Sequence, residues 1–155
     1  MKVIIDPNGN KYYWKNGDLH TSFGFVKEEK IKNGIVKTHL GKKLLIFNAN
    51  FVDKLEKIKR GPAIIIKRDI GQIVARTGIN ENSRIVDAGT GSGILAAFLG
   101  NISKHVVSYE KNKEFFDLAK NNLDFLNINV KLKNKDIYEG IDEKDLDLIT
   151  LDLSE

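Results

Sequence analysis

The feature that most constrains the fold is a short apolar run that leads directly into a loop of three glycines, at residues 84–94. Glycine lets the backbone turn tightly and lets a ligand approach where a side chain would collide. A helix that begins after such a loop presents backbone N–H groups without partners to a polar or anionic ligand. The pattern therefore predicts a strand, a glycine turn and a helix start that form one wall of a nucleotide-sized pocket.

The spacing of the glycines separates two kinds of pocket. A dinucleotide-binding loop has the pattern G-x-G-x-x-G, whereas this loop has Gly89, Gly91 and Gly93, with Ile94 where the third glycine is expected. An acidic residue, Asp87, also ends the strand. This arrangement resembles the S-adenosylmethionine loop of Rossmann-like methyltransferases, and Ile94 disfavours a nicotinamide-dependent oxidoreductase. The structural alternative is a glycine turn that binds no ligand.

Length and composition exclude several classes of protein. The chain has 155 residues, which suits one ordinary domain or a small module with an incomplete larger one. It has no cysteine, which excludes thiol catalysis, cysteine-ligated metal and disulfides, and we expect no metal site. The N-terminal apolar run is too short for a signal peptide, and no segment approaches membrane-spanning length. We therefore expect a cytoplasmic protein without membrane contact.

Charge is unevenly distributed along the chain, although the net charge is only +4. Residues 1–60 carry 13 Lys and Arg against 6 Asp and Glu, whereas residues 81–155 carry 9 against 14. A basic first third beside an acidic remainder predicts a surface that faces a polyanion, such as a nucleic acid. The alternative is that these lysines only form ordinary solvated faces.

The first 60 residues predict a small basic β-rich module. Short apolar runs at 3–5, 12–14, 34–36 and 44–47 are separated by turn residues, and a basic helix is expected at 51–60. Gly61 and Pro62 then mark a domain boundary. Five aromatic residues could stack on bases, although filling the small core is the preferred reading. They are Tyr12, Tyr13, Trp14, Phe23 and Phe25.

Residues 61–155 alternate between strand and helix patterns. An apolar run at 63–66 comes first, and helices are expected at 69–76, 94–99 and 113–125. Strands are expected at 85–87, 106–109, 128–132 and 146–151. Alternation of this kind predicts an α/β domain with a parallel, doubly wound sheet, which binds ligands beyond the carboxyl ends of its strands.

A carboxylate follows each of the four predicted sheet strands: Asp87, Glu110, Asp136 and Asp152. Glu110 lies 21 residues after Gly89, the distance at which an acid reaches a ribose in nucleotide-binding sheets. Asp136, on the next loop, is placed to touch an adenine amino group. The structural alternatives are a turn cap for Asp136 and a solvated helix-start acid for Glu110.

Five segments occur in the order seen in tRNA adenine-N1 methyltransferases, and the chain resembles this family over nearly its whole length. They are RGPAIIIKRDIG at 60–71, the glycine loop, VSYE at 107–110, KDIYEG at 135–140 and ITLDL at 149–153. The family methylates N1 of an adenosine in the T-loop of tRNA, at position 58 and, in archaea, also at position 57. The resemblance implies a Rossmann-like methyltransferase domain at 61–155 behind the β module, with tRNA as substrate.

The resemblance also implies S-adenosyl-L-methionine as the cofactor and assigns its site. Residues 90–93 would line the methionine part, Glu110 would hold the ribose, Asp136 the adenine, and residues 65–69 would close over the cofactor. The implied cofactor-binding set is Asp87, Gly89, Thr90, Gly91, Ser92, Gly93, Glu110 and Asp136. Asp152 falls on the family's aspartate near the target adenine and is the expected catalytic residue. Its structural alternative is an acid that merely ends an edge strand.

The sequence departs from the family after the fourth predicted strand, where it stops at Glu155 and has Ser154 at the family's usual proline. We expect a C-terminally incomplete sheet with an unpaired edge, which proteins normally cover or pair. Three explanations stay open: a fragment, a sheet completed by its own copy or by another chain, or a non-catalytic cofactor- and tRNA-binding subunit. The enzyme hypothesis and the split or non-catalytic subunit are therefore the two functional alternatives.

Overall fold

The computed structural model describes residues 1–61 and 65–153, so the first half of the predicted run at 63–66 lies outside the described residues. The chain divides into two compact units, Met1–Lys57 and Ile58–Glu155. Each unit has its own sheet and its own buried core. No helix in the described parts of the chain has the length and apolar character needed to cross a membrane.

The first unit contains a four-stranded antiparallel sheet with the strand order β2-β1-β6-β5 and a separate hairpin, β3-β4. Its elements are β1 Lys2–Ile5, β2 Lys11–Trp14, β3 Leu19–Thr21, β4 Gly24–Val26, β5 Gly34–Lys37, β6 Lys43–Asn48 and α1 Phe51–Leu55. Burial alternates along β6, because successive side chains point to opposite faces. Leu44 and Ile46 enter the core, whereas Leu45 and Phe47 are exposed.

Two expectations for this unit can be compared with the structure directly. Helix α1 has a capping box between Asn50 and Asp53, but it ends at Leu55, five residues before the predicted end. It ends in a tighter turn, in which the Lys57 N–H donates to the Lys54 carbonyl at 2.9 Å. Tyr12 and Trp14 pack against the core, as the preferred reading of the aromatic residues expected.

The second unit contains a four-stranded parallel sheet with the order β10-β7-β8-β9. Its elements are α2 Lys67–Thr77, β7 Arg84–Ala88, α3 Ile94–Ile102, β8 His105–Tyr109, α4 Lys113–Leu126, β9 Lys131–Lys133 and β10 Leu148–Leu151. Because all four strands run the same way, their carboxyl ends meet at one edge. The predicted α/β domain with a parallel sheet, preceded in the chain by a small β-rich module, is confirmed.

The helices of this unit begin and end at residues with clear local reasons. Gly78 and Asn127 end α2 and α4 in the left-handed conformation, with φ of 64° and 56°. Asn112 caps α4 by accepting the N–H groups of Glu114 and Phe115. A shared apolar core then joins α2 and α3 to one face of the sheet: Ile70, Ile85, Leu95, Leu99 and Val106.

Candidate functional site

A cavity of about 280 Å³ opens at the carboxyl edge of the parallel sheet. Seven of the residues predicted for the site line it: Gly89, Thr90, Gly91, Ser92, Glu110, Asp136 and Asp152. The other two, Asp87 and Gly93, are not among the described residues that form its wall. The predicted loop and three of the four strand-end acids therefore meet at one cavity.

The glycine loop needs glycine for two different reasons. All three glycines have positive φ, at 84° for Gly89, 55° for Gly91 and 80° for Gly93, where a side chain is strained. Gly89 is also crowded, since a β-carbon there would lie 2.0 Å from the carbonyl oxygen of Asp152. At Gly93 the neighbour would be the Ala119 side chain of α4, at 3.2 Å. The loop is thus held between β10 and α4.

The backbone N–H groups of the loop are largely used within the chain. Those of Gly89 and Thr90 donate to the Tyr109 carbonyl at 3.0 and 3.3 Å, and that of Gly93 donates to the Thr90 carbonyl at 2.8 Å. The Gly91 N–H donates to Glu110 Oε2 at 2.8 Å. A pyrophosphate-binding loop needs such N–H groups turned toward the ligand. The loop is therefore poorly suited to bind the pyrophosphate of a dinucleotide. The presence of Ile94 in place of the third glycine of a dinucleotide-binding loop indicates the same.

Glu110 is buried at the end of β8, where it both lines the cavity and braces the loop. Its Oε2 accepts the Gly91 N–H at 2.8 Å, and its Oε1 accepts the Asn112 N–H at 2.9 Å. A carboxylate has about four lone-pair sites, so two bonds leave capacity for further donors such as ribose hydroxyls. The position of Glu110 therefore suits the predicted contact with a ribose, and the residue also holds the glycine loop and the start of α4 in place.

Asp136 caps the short 3-10 turn Ile137–Glu139 by accepting the Tyr138 N–H at 3.0 Å. The turn-capping alternative drawn from the sequence therefore describes part of what this residue does. Its other oxygen, Oδ2, lies 4.0 Å from Lys111 Nζ. Asp136 lines the cavity beside the apolar side chains of Phe115 and Ile137. An acceptor next to apolar surface is what an adenine ring with its amino group requires.

Asp152 follows β10 directly and continues its pairing with β7, because its N–H donates to the Ala88 carbonyl at 3.0 Å. Its side chain is exposed and belongs to the cavity lining. The main chain of Asp152 is therefore fixed by the sheet, while the residue stays exposed in the lining of the cavity.

Asp87 lies behind the cavity wall and is 1% exposed. Its two oxygens accept the hydroxyls of Ser108 at 2.6 Å and of Thr150 at 2.7 Å. Burial raises the pKa of Asp87, the two hydroxyl bonds oppose this rise, and the negative charges of Asp152 and Glu110 add to it. Ser108 and Thr150 were missed in the sequence, although polar residues inside apolar strands were a usable signal.

A second cluster, which the sequence analysis missed, surrounds the hydroxyl of Tyr109. Tyr109 lines the cavity with its ring buried, and its hydroxyl donates to Glu143. Lys133 Nζ lies 2.6 Å from Glu143 Oε1, 2.8 Å from Asp142 Oδ2 and 3.0 Å from the Tyr109 hydroxyl. These acids raise the pKa of Lys133. Acidic residues of the 140–147 connection therefore hold Tyr109 in place, through its hydroxyl and through Lys133. The carbonyl of Tyr109 in turn accepts two N–H groups of the glycine loop.

The donor and acceptor set of the cavity indicates what kind of ligand fits. Three carboxylates line it, those of Glu110, Asp136 and Asp152, against the two ammonium groups of Lys111 and Lys135. Carboxylates accept hydrogen bonds and attract positive charge, so they suit a ligand with hydroxyls, an amino group and a cationic centre. The residues present therefore fit an adenosyl sulfonium better than a pyrophosphate.

The chain is similar to several proteins that are named as methyltransferases. It is 32% identical, over 98% of its length, to the tRNA (adenine(57)-N(1)/adenine(58)-N(1))-methyltransferase of Methanocaldococcus jannaschii. It is 28% identical, over 78% of its length, to the tRNA (adenine(58)-N(1))-methyltransferase of Thermus thermophilus. A crystal structure of a SAM-dependent O-methyltransferase from Thermotoga maritima superposes with a TM-score of 0.81 and 30% identity over 96% of the chain.

The chain is shorter than each of these proteins. It spans 66% of the Methanocaldococcus protein, 51% of the Thermus protein and 60% of the Thermotoga structure.

The comparisons confirm the relationship inferred from the sequence, since two proteins named as tRNA adenine-N1 methyltransferases match 98% and 78% of the chain. The predicted cofactor, S-adenosyl-L-methionine, agrees with the description of the Thermotoga protein as SAM-dependent. Residues 65–144, about half of the chain, match the family model described as ribosomal RNA adenine dimethylase. The chain therefore belongs to the ribosomal RNA adenine dimethylase family of Rossmann-like methyltransferases.

Proposed function

We propose that this chain binds S-adenosyl-L-methionine in the cavity and serves the N1-methylation of adenosine in the T-loop of tRNA, at position 57 or 58. One observation supports the cofactor most directly: three strand-end carboxylates line the same cavity as a glycine loop in which the N–H groups of Gly89, Thr90, Gly91 and Gly93 already have partners. The named activity of the Methanocaldococcus relative supports the substrate.

Each residue of the proposed cofactor site has a separate role. Glu110 accepts the ribose hydroxyls, because its carboxylate keeps free lone pairs beside the loop. Asp136 accepts the adenine amino group, and residues 89–92 shape the wall for the methionine part. Asp87 contributes from behind the wall, through the bond that it accepts from the Ser108 hydroxyl.

Asp152 is the proposed catalytic residue. N1 of adenosine pairs within a helix, so the target base must be unpaired or flipped before it can react. When bound, the cofactor supplies the methyl group from a positively charged sulfonium. The base then gains positive charge, and a carboxylate beside its amino group stabilises that charge or accepts a proton. Asp152 is exposed and lines the cavity, which suits this role.

The competing function is a non-catalytic or split subunit that needs a partner chain. Strand β10 is the edge of the described sheet, and its side chains Ile149 and Leu151 are 47% and 64% exposed. An exposed apolar edge strand is normally paired or covered. We propose that further polypeptide covers this edge: additional residues of the same protein, a second copy of the chain or a different subunit.

The first unit is the proposed tRNA-binding surface, because residues 1–57 carry 11 Lys against 6 Asp and Glu. Cytoplasmic localisation follows as part of the same proposal, since the tRNA substrate is found there. Weakening of tRNA binding with rising salt, measured on the full chain, would test the electrostatic contribution.

Two measurements test the proposed function. Calorimetric titration should show binding of S-adenosylmethionine and none of NAD, and the reverse result would overturn the cofactor assignment. Methyl transfer should then be assayed on T-loop tRNA transcripts with adenosine at 57, at 58 or at neither. The assay is run with the chain alone and with the product of the neighbouring reading frame. Turnover only in the mixture would favour the split subunit.

A further inference from the structure

A chain of buried hydrogen bonds runs from the edge strand to the glycine loop behind the cavity wall. Thr150 Oγ1 lies 2.7 Å from Asp87 Oδ1, Asp87 Oδ2 lies 2.6 Å from Ser108 Oγ, and Ser108 Oγ lies 2.6 Å from Thr90 Oγ1. All four residues are at least nine-tenths buried. Of the four, only Thr90 belongs to the described lining of the cavity.

The register of the sheet creates this chain. Asp87 pairs with Ser108 on one side and with Thr150 on the other, so their side chains point to the same face. Thr90 follows on the loop, and its N–H donates to the carbonyl of Tyr109, next to Ser108. The geometry is therefore a direct result of three aligned positions in neighbouring strands.

Counting protons along this chain assigns a direction to each bond. Both oxygens of Asp87 accept hydroxyl protons, so Asp87 acts here as an ionised carboxylate, which has no proton to donate. Each hydroxyl has a single proton to donate. Ser108 donates that proton to Asp87 Oδ2, so it can only accept from Thr90. The Thr90 hydroxyl must then donate to Ser108, which directs its proton away from the cavity. A ligand that contacts this hydroxyl meets lone pairs only.

We propose that Asp87 and Ser108 are positioning residues for the cofactor, because they hold the Thr90 hydroxyl as an acceptor that selects a ligand carrying an amino group. This inference rests on the proposed function, in which the loop forms the wall for the methionine part. The α-ammonium group of that part is a donor, whereas its carboxylate is an acceptor that Thr90 would not bind. Neither Asp87 nor Ser108 needs to touch the ligand.

The test compares the binding of S-adenosylhomocysteine with that of its analogue lacking the α-amino group, by calorimetry on the full chain. Wild type should prefer the amino compound by roughly tenfold or more, as expected for a hydrogen bond to a charged donor. In Ser108→Ala and in Thr90→Val this preference should fall by at least a factor of about three. Thr90→Ser, which keeps the hydroxyl, should restore it.

Thr150→Val is the matched control, because it removes the other hydroxyl from the same carboxylate and leaves the Thr90 side intact. We expect it to lower the thermal midpoint without changing the preference for the amino compound. Equal loss of preference in Thr150→Val and Ser108→Ala, or unchanged preference in Ser108→Ala and Thr90→Val, would overturn the inference. Wild type that binds neither ligand would overturn the proposed function as well.

Discussion

A β-carbon on Gly89 would lie 2.0 Å from the carbonyl oxygen of Asp152 and 2.9 Å from its carbonyl carbon. The first glycine of the loop therefore sets how closely the end of β10 approaches the cofactor wall. Because both atoms belong to the main chain of Asp152, no side-chain rotation can relieve the contact. The proposed catalytic residue and the proposed cofactor loop are thus parts of one rigid arrangement.

Gly89→Ala should consequently be costly. We expect a loss of about 2–5 kcal/mol in the free energy of unfolding, from the left-handed backbone together with overpacking. Gly91→Ala is the matched control, since Gly91 also has positive φ but a β-carbon there would meet nothing closer than 3.8 Å. It should cost only about 1–2 kcal/mol. Denaturant unfolding measures both changes, and equal costs for the two variants would refute the crowding argument.

Asp152→Asn should abolish most methyl transfer and preserve the fold and the cofactor site. The main-chain bond from Asp152 to Ala88 stays, whereas the negative charge beside the target base is lost. We expect kcat to fall by about 10²–10⁴-fold, the usual contribution of a general base. Single-turnover transfer to tRNA and calorimetric binding of S-adenosylmethionine provide the two readouts.

Asp145→Asn is the control for charge alone, because Asp145 is an exposed acid on the loop before the same strand, with its side chain 89% exposed. It should leave kcat unchanged. Should Asp152→Asn lose cofactor binding to the same extent as turnover, Asp152 would have a structural role instead.

Glu110→Gln should weaken cofactor binding by about tenfold or more, the usual effect of losing a charged hydrogen-bond partner. An amide oxygen can replace one carboxylate oxygen, but the amide nitrogen would then face the N–H of Gly91 or Asn112. The loop should therefore be less stable as well. Calorimetry and denaturant unfolding measure the two effects, and Glu114→Gln, at an exposed acid of α4, should change neither.

Much of this architecture was accessible from the sequence, because its strongest signals are local. The glycine loop, the alternating strands and helices, and the acids at the strand ends all follow from spacing along the chain. The hairpin of β3 and β4 was missed, since three-residue strands such as Leu19–Thr21 show no usable alternation. The partners of Asp87 were missed for another reason: Ser108 and Thr150 become its neighbours only through the register of the sheet.

The role of Asp87 shows where residue-by-residue transfer from a family stops. Its position before the glycines implied a cofactor contact, yet the structure places it behind the wall, where two hydroxyls bind its oxygens. The motif does not reveal this burial. Asp87 and the next residue, Ala88, point to opposite faces of the sheet and are both buried, so alternation along the strand gives no signal. Its proposed influence on the ligand therefore passes through Ser108 and Thr90.

Glu143→Gln should make the stability of the chain less dependent on pH in the acid range. Burial disfavours the charged form of Glu143, but its bonds from Lys133 and Tyr109 outweigh this and lower its pKa below the ordinary value of 4.5. A lowered carboxyl pKa stabilises the fold above the unfolded value, and this stabilisation is lost as pH falls through the folded value. Wild type should therefore exceed the variant in unfolding free energy at neutral pH, and the difference should shrink below pH 4.5.

Denaturant unfolding between pH 3 and 7 measures this difference in unfolding free energy, with Glu139→Gln, at an exposed acid, as the control. A difference that stays constant across this range would show that the Lys133 pairing does not stabilise the charged form.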